Sequence, residues 1–272
     1  MTVGDASWGS VKFGRDLGIY GSDAILSDMT LLGVGVGSGG NGSSTLGRIG
    51  SGYMYADWVG QIAYTSPNFN GFQVSGAVRQ PWTNGLDAGA DNSNSNMGFE
   101  GKVTYDFAVN DVTGRVWASG ISQKHDAGTS TLTTVTNLTA YTSKGYDLGA
   151  KVAYSGAELV GYWYEGDGLS GPRNVLSGLA FLGGEKTQDS GGYVQATFKI
   201  PGIGTKLGAS WGESNSTPAA GGQEFTNESW IVGAYHPLTK SLNLVAEYTN
   251  QKLKTDVEKE AKTVSLGAIM FF

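Results

Sequence analysis

The sequence predicts an all-β fold, a transmembrane antiparallel up-and-down β-barrel with one long loop folded into its lumen. Twelve stretches of about ten residues alternate apolar and polar side chains, as two-sided strands do. The connectors between these stretches are short and long in strict alternation. Charged residues make up only 15% of the 272 residues, against about 25% in soluble domains, and 44 residues are glycine.

Alternation is clearest at residues 71–81, where Phe72 and Val74 share one face and Gln73 and Arg79 lie on the other. The same pattern recurs along the whole chain. In order, the predicted strands lie near residues 6–15, 55–65, 71–81, 97–107, 112–122, 145–154, 157–167, 190–200, 204–213, 228–236, 240–250 and 261–272.

The connectors indicate a meander in which one rim has short turns and the other has long loops, as in membrane barrels. The long connectors are rich in Gly, Ser, Thr and Asn. The short connectors are residues 66–70, 108–111, 155–156, 201–203 and 237–240, and the long ones are residues 83–96, 123–144, 168–189, 214–227 and 251–260.

Charged residues fall on the polar face of the predicted strands, except at strand ends, as at Arg15, Glu165 and Glu213. Parity alone does not separate a barrel from a soluble β-sandwich, whose apolar faces meet in a shared core. Small residues on the polar face, the strand length and the alternating connectors favour a barrel with a wet lumen, since a charge turned to lipid at mid-depth would cost about 2–4 kcal/mol. The charges of the polar face are Lys12, Asp57, Arg79, Glu100, Lys102, Asp106, Arg115, Asp147, Lys151, Glu158, Lys199, Lys206 and Glu247.

Residues 1–272 form a single barrel domain in this prediction, with residues 16–52 inserted between the first two strands. A connector of this length without a role is uncommon in a compact domain. Because residues 19–32 are rich in Ile, Leu, Met and Tyr, we expect them to pack against the inner wall and narrow the lumen. A surface excursion is the alternative. The residues expected at this pore constriction are Asp16, Asp23, Asp28, Lys12, Arg15, Arg79, Lys102, Arg115 and Lys151.

Composition excludes several kinds of protein. No run approaches about 18 apolar residues, which excludes a transmembrane helix, and a net charge of −6 disfavours a nucleic-acid-binding face. With no cysteine and two histidines, no metal site and no cofactor are expected. His125 and His236 fall on opposite rims of the predicted barrel, so no catalytic site of a hydrolase is expected and the protein is not predicted to be an enzyme.

Three stretches resemble the general porins of Gram-negative bacteria, which are trimeric. Residues 8–15 run into the long segment as the family's strand runs into its constriction loop. Residues 62–72 read Ile-Ala-Tyr-Thr-Ser-Pro and then Phe-Asn-Gly-Phe, similar to the family's hairpin motif I-x-Y-x-S-P…F-x-G-F. Residues 264–272 alternate and end on a phenylalanine, Phe272, which is similar to the family's last strand.

The resemblance implies a homotrimeric porin of the cell outer membrane, through which small hydrophilic solutes and ions diffuse passively. Its partners would be the lipid bilayer, lipopolysaccharide and the barrel-assembly machinery, with Leu266, Met270 and Phe272 as the assembly signal. The family has sixteen strands, and its constriction loop follows the fifth. The first four strands are therefore expected to be absent here, in either a fragment or a twelve-stranded relative.

The residues themselves favour weak cation selectivity, because the strand charges are nearly balanced and residues 16–52 carry three aspartates and one arginine, Arg48. Anion selectivity is the alternative, since the resemblance includes anion-selective relatives whose neck arginines look like Arg15, Arg79 and Arg115. A secreted or surface β-rich protein that binds carbohydrate or mediates adhesion through its Trp and Tyr residues is the alternative function. A charged cluster near the last long connector is expected to form a solvated rim, with lipopolysaccharide or calcium as alternative ligands. Its members are Lys252, Lys254, Lys259, Lys262, Asp256, Glu258 and Glu260.

Overall fold

The computed structural model describes residues 1–34, 47–81, 96–126, 140–170, 186–218 and 223–272. In that part of the chain there are thirteen β-strands and one short helix, α1, at Ser22–Ser27. No described helix is long and apolar enough to cross a membrane. The strands are β1 Thr2–Asp5, β2 Gly9–Leu17, β3 Trp58–Thr65, β4 Phe72–Arg79, β5 Gly98–Val109, β6 Val112–His125, β7 Tyr141–Tyr154, β8 Ala157–Asp167, β9 Thr187–Lys199, β10 Lys206–Pro218, β11 Phe225–Pro237, β12 Leu242–Lys254 and β13 Glu258–Met270.

The strands form a single antiparallel sheet in which each strand pairs with the next along the chain, from β1 to β13. The predicted all-β meander is confirmed, but the predicted count of twelve strands is wrong. The additional strand is β1, whose four residues pair with β2 from Thr2↔Lys12 to Asp5↔Gly9. Four residues are too few to show an alternating pattern, so this strand becomes visible only through its pairing. Among the described residues, β1 and β13 are the edges of the sheet.

Most strands from β5 onward are longer than the predicted ten residues, and several include Ser, Thr and Asn residues that we assigned to connectors. For example, β10 continues to Pro218 and β7 begins at Tyr141. Ladder hydrogen bonds use the backbone, so polar side chains are tolerated in these extensions. The predicted long connector at residues 251–260 is wrong, because only residues 255–257 separate β12 from β13. Much of the predicted connectors 83–96, 123–144 and 168–189 lies outside the described residues.

The short turns follow from local sequence chemistry. Ser155 and Gly156, which join β7 to β8, both have positive φ, at 47° and 84°. A two-residue hairpin of this type needs left-handed backbone at both central positions, because its twist then matches that of the flanking strands. The prediction of one rim of tight turns is confirmed here.

One face of the sheet is apolar and uncovered. Phe72, Leu148 and Leu266 are 43%, 53% and 79% exposed. A β-sandwich would have buried these three side chains between two layers, so the soluble-sandwich alternative does not describe this chain. We call this the outer face and the opposite one the inner face.

The inner face is covered by residues 18–34 and 47–57, which we call the inserted segment. Tyr20, Ala24 and Tyr53 of this segment are buried with Trp117 and Tyr193 of the sheet in one apolar cluster. The cluster therefore lies between segment and sheet, and for these residues the surface-excursion alternative is excluded.

Aromatic rings of strands β6, β8 and β9 form the wall side of this cluster. The Tyr162 ring lies 6.5 Å from that of Trp117 on β6 and 5.8 Å from that of Tyr193 on β9, between ring centroids. Helix α1 begins at Gly21, whose φ is 72° and where a Cβ atom would lie 3.0 Å from the Met54 carbonyl oxygen. Glycine is the residue that fits this left-handed, crowded position.

Candidate pore constriction

The inserted segment is held on the inner face by its own backbone amides. The Ile19 amide donates to the Glu100 carboxylate of β5, 2.5 Å away. The Val34 amide donates to the Glu247 carboxylate of β12, 2.9 Å away. A buried backbone donor without a partner costs free energy, so these two carboxylates fix the path of the segment across the inner face from β5 to β12.

Two further wall side chains hold the segment between those points. The Gly21 amide donates to Asp147 of β7 at 3.1 Å, and the Met29 amide donates to Gln195 of β9 at 2.7 Å. Asp147 also accepts the Ser119 amide at 2.8 Å. Side chains on four strands thus accept hydrogen bonds from amides of the inserted segment. The segment is therefore attached to the wall along its path across the inner face.

Asp23 of helix α1 joins the segment to two cations of the wall. Its carboxylate lies 2.6 Å from the Lys102 ammonium and 3.0 Å from the Arg115 guanidinium. Arg115 in turn donates to Asp106 from Nε at 2.6 Å and from a terminal nitrogen at 2.7 Å. Two carboxylates and two cations therefore form one balanced cluster, which we call the neck cluster. The Asp23 side chain is only 7% exposed, whereas that of Arg115 is 36% exposed.

Asp28 contacts residues of the segment itself. Its carboxylate accepts hydrogen bonds from the Tyr53 hydroxyl at 2.7 Å and from the Arg48 amide at 2.9 Å. Burial, together with the Asp28 carboxylate, raises the pKa of the Tyr53 hydroxyl well above its usual value, so this group remains a donor. Asp28 stabilises the fold of the segment, and it forms no ion pair with a wall cation among the residues that the structure describes.

The Arg48 guanidinium fastens the returning half of the segment to the wall. It is fully buried, and its Nε donates to the Ser210 hydroxyl at 2.6 Å. A terminal nitrogen donates to the carbonyl oxygens of Ser229 at 3.1 Å and of Ser51 at 3.2 Å. A buried charge needs such partners, because desolvation is otherwise prohibitive.

Arg79 is withdrawn from water. It is 2% exposed and forms an ion pair with the buried carboxylate of Glu100. Asp57 lies 3.9 Å from its second terminal nitrogen. Arg79 therefore stabilises the carboxylate that binds the start of the segment.

The remaining residues expected at the constriction are dispersed. Lys12 and Asp16 pair with each other on β2 at 2.7 Å, and both side chains are more than a third exposed. Arg15 donates to the Trp58 carbonyl oxygen at 2.9 Å, and its parity places it on the outer face with Phe13. Lys151 is the cross-strand partner of Arg115. The structure therefore brings Asp23, Lys102 and Arg115 together and leaves Arg15 outside.

The residues expected to form the assembly signal lie on or next to β13, an edge strand of the sheet that the described residues form. Leu266 and Met270 are exposed on the outer face of β13, and Phe272 follows that strand and is also exposed.

Sequence reasoning placed Glu100, Asp147 and Glu247 on the inner face but not in contact with the inserted segment. It also missed the binding role of Gln195 and the Arg48–Ser210 contact. Strand parity was the only available signal, and it gives a face without giving a partner.

Comparison with known proteins identifies relatives of this fold. The family described as Gram-negative porin matches residues 1–256. No curated protein matches the sequence of the chain. The anion-selective porin from Comamonas acidovorans is similar in structure, with a TM-score of 0.61 at 16% identity over 100% of this chain and 76% of that porin.

Two further solved structures show the same likeness. The outer membrane channel DcaP of Acinetobacter baumannii has a TM-score of 0.62 at 17% identity, over 96% of this chain and 71% of that channel. The trimer form of in-vitro folded OmpT of Vibrio cholerae has a TM-score of 0.54 at 16% identity, over 96% of this chain and 74% of that protein. At these identities the likeness is one of fold.

Proposed function

Because this chain belongs to the Gram-negative porin family, we propose that its inner face lines a water-filled barrel whose neck is formed by the inserted segment. Membership makes the protein an outer-membrane channel for passive diffusion and not an enzyme, as the sequence predicted. The exposed apolar outer face fits this location, since Leu148 and Leu266 would contact lipid.

Closure of the sheet is part of the proposal. The edge strands β1 and β13 each pair on one side only within the described residues. Each unpaired backbone N–H or C=O group in hydrocarbon costs several kcal/mol of free energy. Both edges must therefore be paired in the membrane, either with each other or with further strands. The apolar outer face of β13 supports its place in such a lipid-facing wall.

The proposal that the inserted segment forms the neck rests on one observation. Its backbone amides donate to wall carboxylates, from Ile19–Glu100 at one end to Val34–Glu247 at the other. A segment bound in this way to β5, β7, β9 and β12 stays on the inner face while solutes pass. It reduces the free cross-section and sets an upper size for hydrophilic solutes.

The neck carries little net charge in this proposal. The expected cation selectivity rested on Asp16, Asp23 and Asp28, and the structure pairs the first with Lys12 and the second with Lys102 and Arg115. Selectivity should therefore be weak, and its sign should depend on which member of the neck cluster is removed.

The proposal includes assembly into a homotrimer and contact with lipopolysaccharide. The solved OmpT structure is described as a trimer form, and we infer a homotrimer for this chain. The rim of β11–β13 carries Lys252 and Lys254 across from Glu228, and Lys262 beside Glu260. The lysines of this mixed rim would bind the phosphates of lipopolysaccharide.

Planar-bilayer recording of the purified full chain tests the proposal. We expect discrete ohmic conductance steps and a protein that needs detergent to remain dispersed. A protein that stays monodisperse without detergent and gives no steps would refute the channel and favour a soluble carbohydrate-binding or adhesion protein.

A further inference from the structure

The charged side chains of the inner face fall into two groups. Most are bound, as Arg79 is to Glu100 and Lys102 is to Asp23. On strands β7 to β10, four others make neither an ion pair nor a hydrogen bond with any part of the chain that the structure describes, and they are neighbours. These are Lys151, Glu158, Lys199 and Lys206, which we call the open patch.

Strand register places the open patch between the neck cluster and the rim of short turns. Lys199 and Lys206 are direct cross-strand partners on β9 and β10. Glu158 is opposite Thr197 on β9, two residues from Lys199. Lys151 is opposite Arg115 of the neck cluster. Direct partners have Cβ atoms about 5 Å apart and diagonal neighbours about 7 Å, so one small solute can reach Lys199, Lys206 and Glu158 together.

Two lysines directly opposite each other are unfavourable in a sheet unless an anion lies between them. Lys206 has one weak compensation, since its ammonium lies 5.1 Å from the centre of the Tyr235 ring. Lys199 is exposed and has no such contact among the described residues. The two ammonium groups are therefore suited to bind a carboxylate.

A cavity at the same place provides the volume. It measures about 370 Å³, and its polar lining consists mainly of Asp111, Thr113, Glu158, Thr197, Lys199 and Lys206. This is within the size range of small-molecule sites, about 300–1,000 Å³. Both signs of charge are present, with the lysine pair on β9–β10, the carboxylate of Glu158 one strand away and the carboxylate of Asp111 in the same lining.

This distribution of charge selects the chemistry of the ligand. A simple anion at the lysine pair leaves Glu158 close by and unpaired, and a simple cation at Glu158 meets the lysines. We propose that the open patch binds a small zwitterion of the α-amino acid type, with its carboxylate on Lys199 and Lys206 and its ammonium on Glu158. The inference rests on the channel function proposed above, because the solute reaches this site through the lumen.

Block of ion current by added solute tests the proposal on the full chain in planar bilayers. Alanine, propionate, propylamine and propionamide are of similar size and differ only in charge. We expect saturable block by alanine and much weaker block by the other three. Lys199→Gln, Lys206→Gln and Glu158→Gln should each raise the half-blocking alanine concentration about threefold, as loss of a partly exposed charge contact does.

Lys240→Gln, on the exposed turn between β11 and β12, is the matched control and should leave the block unchanged. Normal conductance in each variant shows that it has folded. Equal block by propionate and alanine, with no effect of Glu158→Gln, would overturn the zwitterion site in favour of a simple anion site. Absence of block with normal conductance would also overturn it, while leaving the channel function intact.

Discussion

Asp23 and Arg115 form an ion pair of 3.0 Å that joins helix α1 of the inserted segment to strand β6 of the wall. The same carboxylate binds Lys102 at 2.6 Å, so one residue of the segment pairs with two cations of the neck. The charge balance of the neck cluster thus depends on Asp23 more than on any other residue of the segment.

Asp23→Asn should shift the channel toward anions. A unit charge about 6 Å from a passing ion in water is worth about 0.7 kcal/mol. Cation permeability should therefore fall about threefold and anion permeability rise about threefold, so their ratio should fall about tenfold. The reversal potential in a salt gradient measures this ratio. Asp256→Asn, on the exposed β12–β13 turn, is the control. An unchanged reversal potential in Asp23→Asn would remove helix α1 from the neck.

Arg48→Met should loosen the inserted segment. The substitution removes the donors to Ser210, Ser229 and Ser51, and each buried acceptor left unsatisfied costs about 1–3 kcal/mol. We expect a larger single-channel conductance with increased open-channel noise. Arg15→Met removes a cation from the outer face and should change neither quantity. Wild-type conductance and noise in Arg48→Met would show that the segment does not depend on this contact.

Tyr193→Ala should destabilise the folded protein. The ring packs 5.7 Å from that of Tyr53 and 5.8 Å from that of Tyr162, and the hydroxyl donates to the Ala24 carbonyl oxygen at 2.8 Å. Removal of a buried aromatic ring costs about 3–5 kcal/mol. Samples heated to increasing temperatures before electrophoresis show when the band of the folded protein is replaced by that of the unfolded protein. This temperature should fall in Tyr193→Ala. Val194→Ala, next in sequence but on the outer face, should lower it less, and equal shifts would contradict the assignment of faces.

Leu148→Arg should impair insertion into the membrane. Leu148 is exposed on the outer face in the middle of β7, and an arginine at the bilayer midplane of a barrel costs about 2–4 kcal/mol. The yield of folded protein in lipid vesicles should decrease, whereas Leu148→Phe should fold normally. Normal folding of the arginine variant would mean that this face does not meet lipid.

Phe272→Ala should slow assembly in cells without changing the folded state. The terminal aromatic follows the exposed edge strand β13, where the assembly signal is expected. Unassembled protein should accumulate in the periplasm, while folding of the purified chain in detergent remains normal. Phe271→Ala is the neighbouring control. A similar defect in both variants would indicate general loss of apolar contact at this end of the chain.

The sequence determined the class of fold and the two faces of the sheet. Alternation of side chains has a period of two and depends only on local order, so Phe72 and Lys102 could be assigned to opposite faces without any contact. The same locality explains the errors. Strand β1 is too short for a pattern, and the β12–β13 turn is surrounded by charged residues that resemble a loop.

Tertiary structure alone decided what the inner-face charges do. The bonds that seat the segment join residues 81 and 213 positions apart, as from Ile19 to Glu100 and from Val34 to Glu247. Such pairs depend on the register of many strands and on the path of the segment between them, which alternation does not encode. For that reason the sequence could place Asp28 and Arg79 near a constriction, whereas only the fold shows that both stabilise the bound segment. Likewise, only the fold shows that Lys199, Lys206 and Glu158 form no ion pair among the described residues.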